Sequence, residues 1–417
     1  MDILILGGGV AGLNTALALT KFAPKGAVPN IQIFEIRPVP ATIGGAVNLT
    51  PNALRLLDHL GALQIIRERQ YGETINVLEV FDVYAGKLAE SSFLGVGGDG
   101  FGDPPYKALR ITRGDALKAI LAALEKCPNI TLHCGKRTTR IEETSSSVTL
   151  TFDDGSTATG DLLVGCDGIH SVARLQHVEP SRTATYSGVS NAFGFAPLRD
   201  NLAMHFECTA INFARRGMLL TSWHEPTRKS IYVGALIQVP DIGSRDGWKA
   251  AGADQAKIKS DIMERFATDA TLPAIAPLIE DAQDFYLWPV FTLSKGGKWA
   301  TERTMLVGDA AHAMPPQGEA TGIVLESTVL FARCLMRWVE LGRPDTMKWA
   351  FDKYELLRRA RIDAAFDESR TVVGTVSDCG WLVSKIRAYA IPWVLWWSRK
   401  QRDKHFVEDV TTSDLGF

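Results

Sequence analysis

The sequence predicts an α/β chain. A Rossmann-like domain on a parallel sheet carries an inserted antiparallel-sheet domain, with helices towards the C-terminal end. Three observations predict this. A short apolar strand at the N-terminus runs directly into a glycine triplet and a helix. Two later apolar strands, near residues 162 and 305, each end in a turn that carries an aspartate beside a glycine. Between those two, residues 185–240 break into short aromatic-rich segments separated by Gly and Pro, the pattern of an antiparallel insert.

The first element is Asp2-Ile-Leu-Ile-Leu6, five residues with the apolar bias of a buried strand. Gly7, Gly9 and Gly12 fit Gly-x-Gly-x-x-Gly. The first allows a tight turn, the second lets the backbone approach a pyrophosphate, and the third lets the next helix pack on the strand. That helix runs from about Ala11 to Phe22, with Val10 and Ala11 in the turn that opens it. A second strand, Ile31–Glu35, ends in an acid 23 residues after Gly12, placed to accept the hydroxyls of a ribose. Ile36 and Arg37 follow. The loop Ala41–Ala46 holds the adjacent glycines Gly44 and Gly45, which permit backbone contact with a flat ring or simply a surface loop. A helix follows from Thr50 to Leu60, with Pro51 in its first turn. Residues 74–90 alternate as paired strands, and Gly95–Pro105 holds five glycines and two prolines, so it is a loop. Arg110-Ile-Thr-Arg113 leads into a helix at 116–126, and strands are expected at 130–134, 138–142 and 147–152.

The strand 161–165 delivers Asp167-Gly168 into a turn, with Arg174 one helical turn on. That arrangement can brace phosphates and a second nucleotide, or form a plain turn. After the aromatic-rich stretch come a helix at 254–268 and strands at 284–293. Thr304–Val307 then meets Gly308-Asp309-Ala310, whose acid can bond a ribitol or ribose hydroxyl. Gly318–Gly322 would present a helix N-terminus to a phosphate or an anionic ring edge. Helices are expected at 324–341 and 346–376. The tail carries Trp381, Trp393, Trp396 and Trp397 beside Arg399, Lys400, Arg402 and Lys404, suited to packing on the core or a partner subunit, or to a membrane interface. Packing is the preferred expectation, and Pro392 disfavours a span.

The chain has 417 residues, enough for two or three domains. With 45 basic and 47 acidic side chains, no basic excess argues for a nucleic-acid partner. Six scattered cysteines without a Cys-x-x-Cys read as free thiols in a reducing compartment. The first strand begins at once, leaving no room for a signal peptide, and no run of about 18 apolar residues suggests a span. A cytoplasmic protein, with membrane association through the tail left open, is the expectation. Monomer and homodimer both remain open.

Gly7–Gly12 with Glu35, Asp167-Gly168 and Gly308-Asp309, in that order, resemble the group A FAD-dependent aromatic hydroxylases. These are the p-hydroxybenzoate and salicylate hydroxylases, with fungal secondary-metabolite enzymes the nearest kind. The resemblance covers roughly residues 1–365. It implies a fold of the glutathione reductase type 2 or p-hydroxybenzoate hydroxylase kind. FAD binding would fall to 1–73, 105–180 and 287–345, substrate binding to 74–104 and 181–286, and 346–417 would be a C-terminal helical region. It further implies that Glu35, with Ile36 and Arg37, binds the adenosine ribose, and that Gly45, Ala46 and Val47 form the flavin loop. Arg113 would contact FAD, and Asp167 would serve both FAD and NAD(P)H. Asp309 would hold the ribityl chain beside Ala310. Pro315, Pro316, Gly318, Ala320, Thr321 and Gly322 would line the isoalloxazine.

The sequence departs from the family at Gly318-Glu-Ala-Thr-Gly322, where Gly-Gln-Gly-x-Asn is common. It departs again at Phe193, which stands where some fungal members place an arginine for an anionic phenol. A more apolar substrate is then expected, or a clamp from elsewhere such as Arg215 or Arg216. The implied chemistry is reduction of FAD by NADPH or NADH, addition of O2 as a C4a-hydroperoxide, and insertion of one oxygen into an aromatic, prenylated or polyketide-type small molecule. Hydroxylation or epoxidation would result. No catalytic base is assigned. Tyr232, His205, His224 and Tyr286 are candidates, each more readily structural. The alternatives are a flavin reductase on the same fold, a flavin halogenase, whose Gly-x-Trp-x-Trp-x-Ile-Pro run is missing, and a non-catalytic flavoprotein.

Overall fold

The computed structural model describes residues 1–42 and 44–416. The N-terminal strand Asp2–Leu6 lies at the centre of a five-stranded parallel sheet. Leu162–Gly165 and then Thr304–Leu306 flank it on one side, Asn30–Glu35 and Ile130–Cys134 on the other. Ile3 pairs with both Leu162 and Ile31. Ile3, Leu4 and Ile5 are fully buried, because helices or neighbouring strands cover both faces of the sheet, and such strands read as continuous apolar runs. Helix Val10–Phe22 packs on the long helix Ala320–Glu340. A Cβ on Gly12 would overlap the Gly7 carbonyl oxygen, so only glycine allows the helix to start this close to the strand.

Beside this domain a small antiparallel sheet joins Ala46–Leu49, Ala108–Thr112 and Glu73–Ile75. A seven-stranded sheet is assembled from two stretches of sequence, Val77–Ser92 and Thr185–Thr292. Its pairings are antiparallel except where Thr209–Ala214 runs parallel to Val77–Asp82. One face is closed by the helices Gln255–Phe266 and Ile275–Asp281, whose Ile262, Phe266 and Ile279 pack under Leu219, Val233 and Ala235.

The expected helix at 254–268 is preceded by another, Arg245–Ala253. Asp254 follows the first helix and caps the second, its carboxylate accepting the N–H of Lys257. Helix Ile275–Asp281 was also not expected from the sequence. The tail forms one helix, Trp381–Val407, with Pro392 inside it. Expected packing of its tryptophans on the core is corrected. Trp393, Trp396 and Trp397 are 73 %, 69 % and 81 % exposed, because the helix is anchored only near its ends. At the far end Phe406 is buried against Phe93 and Phe101, and Arg55 donates to the carbonyls of Phe406, Val407 and Glu408. Among the described residues, no helix is long and apolar enough to cross a membrane.

Candidate active site

Three motif turns meet at the C-terminal ends of adjacent strands, where open parallel sheets bind ligands. The Gly7 turn abuts Cys166 and Asp167, and Gly308 lies against Ala11. Helix Val10–Phe22 opens on Gly9 with no side-chain cap and no acid in its first turn. Space beside Gly9 is open, so the N–H groups of Val10, Ala11 and Gly12 remain available to an anion. Glu35 accepts the N–H of Gly8 at 2.8 Å and that of Arg37 at 3.0 Å. A carboxylate has further lone pairs, which are free for hydroxyl donors. Asp309 stands in the cleft with no hydrogen bond among the described residues. Desolvation raises its pKa, while Arg113 pulls it down. These observations fit a dinucleotide: free helix donors for its pyrophosphate, Glu35 for one sugar and Asp309 for the other chain of hydroxyls.

Asp167 is more committed to the fold. It accepts from the Ser171 hydroxyl at 2.5 Å and from the N–H groups of Val172 and Ala173, at 2.6 and 3.1 Å. Burial still raises its pKa. Arg174 does not brace phosphates as expected. Its guanidinium is fully buried and donates to the carbonyls of Arg182, Ala310 and Ile169, which ties the Gly168 turn to the Asp309 turn.

The flavin-loop candidates lie against the seven-stranded sheet. The Gly45 carbonyl accepts the N–H of Arg113, and the Arg113 side chain packs against Gly44. A Cβ on Gly45 would overlap the Tyr232 ring. Ala46 shares an apolar cluster with Phe193 and Tyr232, flanked by Phe195 and Leu220. Phe193 stacks on Tyr286 at 5.4 Å, and Phe195 meets Tyr232 edge-on at 5.7 Å. The adjoining Val47 pairs in register with Ile111. Gly322 approaches Thr50 and Asn52. Pro316, Gly318, Ala320 and Thr321 keep solvent exposure around the start of helix Ala320–Glu340. Within that segment, burial pushes the Glu319 carboxyl up to about 7 against the pull of Arg361, 3.6 Å away.

The clamp expected at Arg215 or Arg216 is corrected. Both sit at the turn between Thr209–Ala214 and Gly217–Trp223, far along the sheet from Tyr232, which pairs with Ser222. Arg216 pairs with Glu264, and Arg215 lies over Tyr84. His205 bonds Asn212 and His224 bonds Ser230, and burial lowers the pKa of both, so each is held structurally. Sequence reasoning missed Arg110. It lies 4.8 Å over the Tyr232 ring, on the strand face opposite Ile111. The alternation in Ala108–Thr112 was the signal that could have placed it there.

A family described as FAD binding domain matches residues 1–323. Salicylate hydroxylase from Pseudomonas putida is 29 % identical over 80 % of this chain and 76 % of its own length. Hispidin-3-hydroxylase from Neonothopanus nambi is 26 % identical over 88 % of this chain and 87 % of its own. Among solved structures, Klebsiella pneumoniae HpxO complexed with FAD and uric acid superposes with a TM-score of 0.78. It shares 20 % identity and covers all of this chain and 98 % of that one.

Proposed function

We propose a function on one premise: this chain belongs to the FAD binding domain family, and FAD is its cofactor. It is an FAD-dependent monooxygenase that consumes NADPH or NADH and O2 and hydroxylates an aromatic small molecule. Cofactor binding is assigned to 1–73, 105–180 and 287–345, and substrate binding to 74–104 and 181–286. When bound, FAD supplies the electron transfer from nicotinamide to O2 and the oxygen-inserting chemistry. The chain's own residues do the rest. The N–H groups after Gly9 hold the pyrophosphate, Glu35 and Asp309 accept the hydroxyls at its two ends, and Arg113 fixes the loop at Gly44 and Gly45. The observation that carries the reading is the aromatic wall of Phe193, Phe195 and Tyr232 directly against that loop. It would hold a flat ring beside the cofactor and keep water out. Hydroxylase relatives that span most of this chain support it.

The test is direct. Purified protein should show a flavin spectrum. With a substrate from a panel of phenols and fused-ring aromatics, NADPH oxidation should accelerate and a product heavier by one oxygen should form. NADPH use without oxygen in the product would reassign the chain as a reductase.

The tail supports a finer reading, peripheral contact with an anionic membrane surface. Leu382, Ile386, Tyr389, Trp393 and Trp397 are exposed along one face of the helix, and Lys400 and Lys404 continue that face. Flotation with vesicles containing phosphatidylserine should carry the protein. The triple variant Trp393→Ser, Trp396→Ser, Trp397→Ser should stay behind. Concentration-dependent dimerisation without flotation would overturn this reading.

A further inference from the structure

A guanidinium removed from water without an anion or hydrogen-bond acceptors is costly, so buried arginines are normally paired. Among the described residues the buried arginines follow that rule with one exception. Arg174 and Arg182 donate to carbonyls, Arg55 to three carbonyls of the tail, Arg265 to Asp261, and Arg358 to Glu326 and Ser327. Arg110 is only 5 % exposed, yet among the described residues it makes no hydrogen bond and no ion pair. Its Nε is buried and unpartnered. Its one close favourable contact is the face of Tyr232.

The surrounding charges do not supply the missing anion. Arg113 is a like charge, and its own pull is felt by the Asp309 carboxyl. Glu73 is opposite Arg110 in the strand ladder but is taken by Arg228 through two hydrogen bonds, at 2.9 and 2.5 Å. His224, on the far side of Phe195, is kept neutral, with Arg110 contributing to the lowered pKa. Desolvation lowers the pKa of Arg110 itself only to about 10, so the side chain stays charged at neutral pH. A second orphan stands beside it. Asn48 pairs with Arg110 across the ladder, which puts both side chains on one face of the sheet, and its Oδ1 is buried without a partner.

We propose that Arg110 and Asn48 form an anion-recognition site at the end of the aromatic wall, which takes the carboxylate of a ring-bearing acid. The fork of Arg110 would receive the carboxylate, and Asn48 would accept from a hydroxyl on the same ligand. The ring would lie along Tyr232 and Phe193. This rests on the reading of that wall as the substrate site, and it names the substrate class: an aromatic acid. It replaces the apolar substrate that Phe193 suggested, because the cation comes from the small sheet beside the flavin loop and not from the strand that carries Phe193.

The test uses the FAD-loaded full chain with neither NADPH nor O2 turnover, so its outcome is separate from that of the product-mass experiment. Benzoate, cinnamate and 2-naphthoate are each titrated against the matching carboxamide, with perturbation of the flavin absorbance or fluorescence as the readout. In the wild type each acid should bind about ten-fold or more tighter than its amide, the worth of one charge-assisted pair. Arg110→Gln should erase that preference while retaining FAD. Arg110→Lys should retain FAD and part of the preference, and it carries the test if the glutamine variant does not fold. Equal binding of acid and amide by the wild type would overturn the proposal. So would a preference that survives in Arg110→Gln, or loss of FAD from both folded variants, since the arginine would then serve the cofactor.

Discussion

Asp309 and Arg358 illustrate two opposite uses of a charge: Asp309 is open at the cleft, whereas Arg358 is buried. Among the described residues Asp309 makes no hydrogen bond and feels only the charge of Arg113, so its replacement should cost ligand affinity and not fold. Asp309→Ala is expected to weaken FAD binding about ten- to hundred-fold, as loss of a charged acceptor does, with the melting temperature of the FAD-free protein unchanged. Flavin fluorescence titration and a thermal melt measure the two effects. Arg358 is fully used: it pairs with Glu326 at 2.9 Å and donates to Ser327 and the Ile323 carbonyl, while Asn52 donates to the other Glu326 oxygen. Arg358→Met leaves a buried carboxylate uncompensated. A loss of about 3–5 kcal/mol in denaturant unfolding is expected. A variant that unfolds at the wild-type denaturant midpoint would show Glu326 to be neutralised some other way. Nothing in the local sequence distinguishes Arg358 from Arg359, which lies over Trp299. Only the packing of helix Lys348–Val376 on helix Ala320–Glu340 does so.

At the scale of elements, Glu143 at the end of strand Thr138–Glu143 joins three pieces of chain. Its carboxylate accepts from His177, Thr301 and Thr304, and from the backbone of Glu302 and Arg303. Desolvation raises its pKa, but these donors outweigh burial and hold it at about 2, below its ordinary 4.5. A depressed carboxyl stabilises the fold above its unfolded pKa, and that contribution is lost as pH falls towards the folded value. Glu143→Gln should therefore be less stable than wild type at pH 7, by about 2 kcal/mol after solvent screening. The gap should close between about pH 4.5 and pH 2, and melts across that window check it. Elements were largely legible in the sequence, because strands such as Asp2–Leu6 and turns such as Gly308-Asp309 declare themselves over a few residues. What stayed hidden was long-range use of side chains. Arg174 is consumed by the carbonyl of Ala310, 136 residues away, so a cation near a glycine turn looked like a phosphate ligand. Arg110 looked like part of a helix approach until a distant strand brought Tyr232 beneath it. The Asp254 junction was missed because one residue both follows one helix and caps the next.

At the scale of the whole molecule, the tail straps the two halves together. Its helix reaches Gly86–Ser92 of the large sheet, its last turn is held by Arg55, and the residues beyond it are held by Arg333, which donates to Val410 and Ser413. Removing residues 381–417 would uncover Phe93 and Phe101 and strip both arginines of their acceptors. Such a truncation should lower the melting temperature by several degrees even with FAD in excess, whereas the triple tryptophan variant should melt as wild type does. The order of strands in the parallel sheet also has a consequence in time. The central strand is made before the rest of its sheet, which is complete only when residues 304–306 emerge, and helix Val10–Phe22 gains its largest packing partner only with residues 320–340. At about 5–20 residues per second, roughly 15–60 s of synthesis separate the two. Throughout that interval the nascent chain presents an unpaired strand edge and an incompletely covered apolar helix face, the features that make a folding chain prone to aggregate. Slower translation should therefore raise the aggregated fraction, measured as insoluble against soluble protein at two expression temperatures.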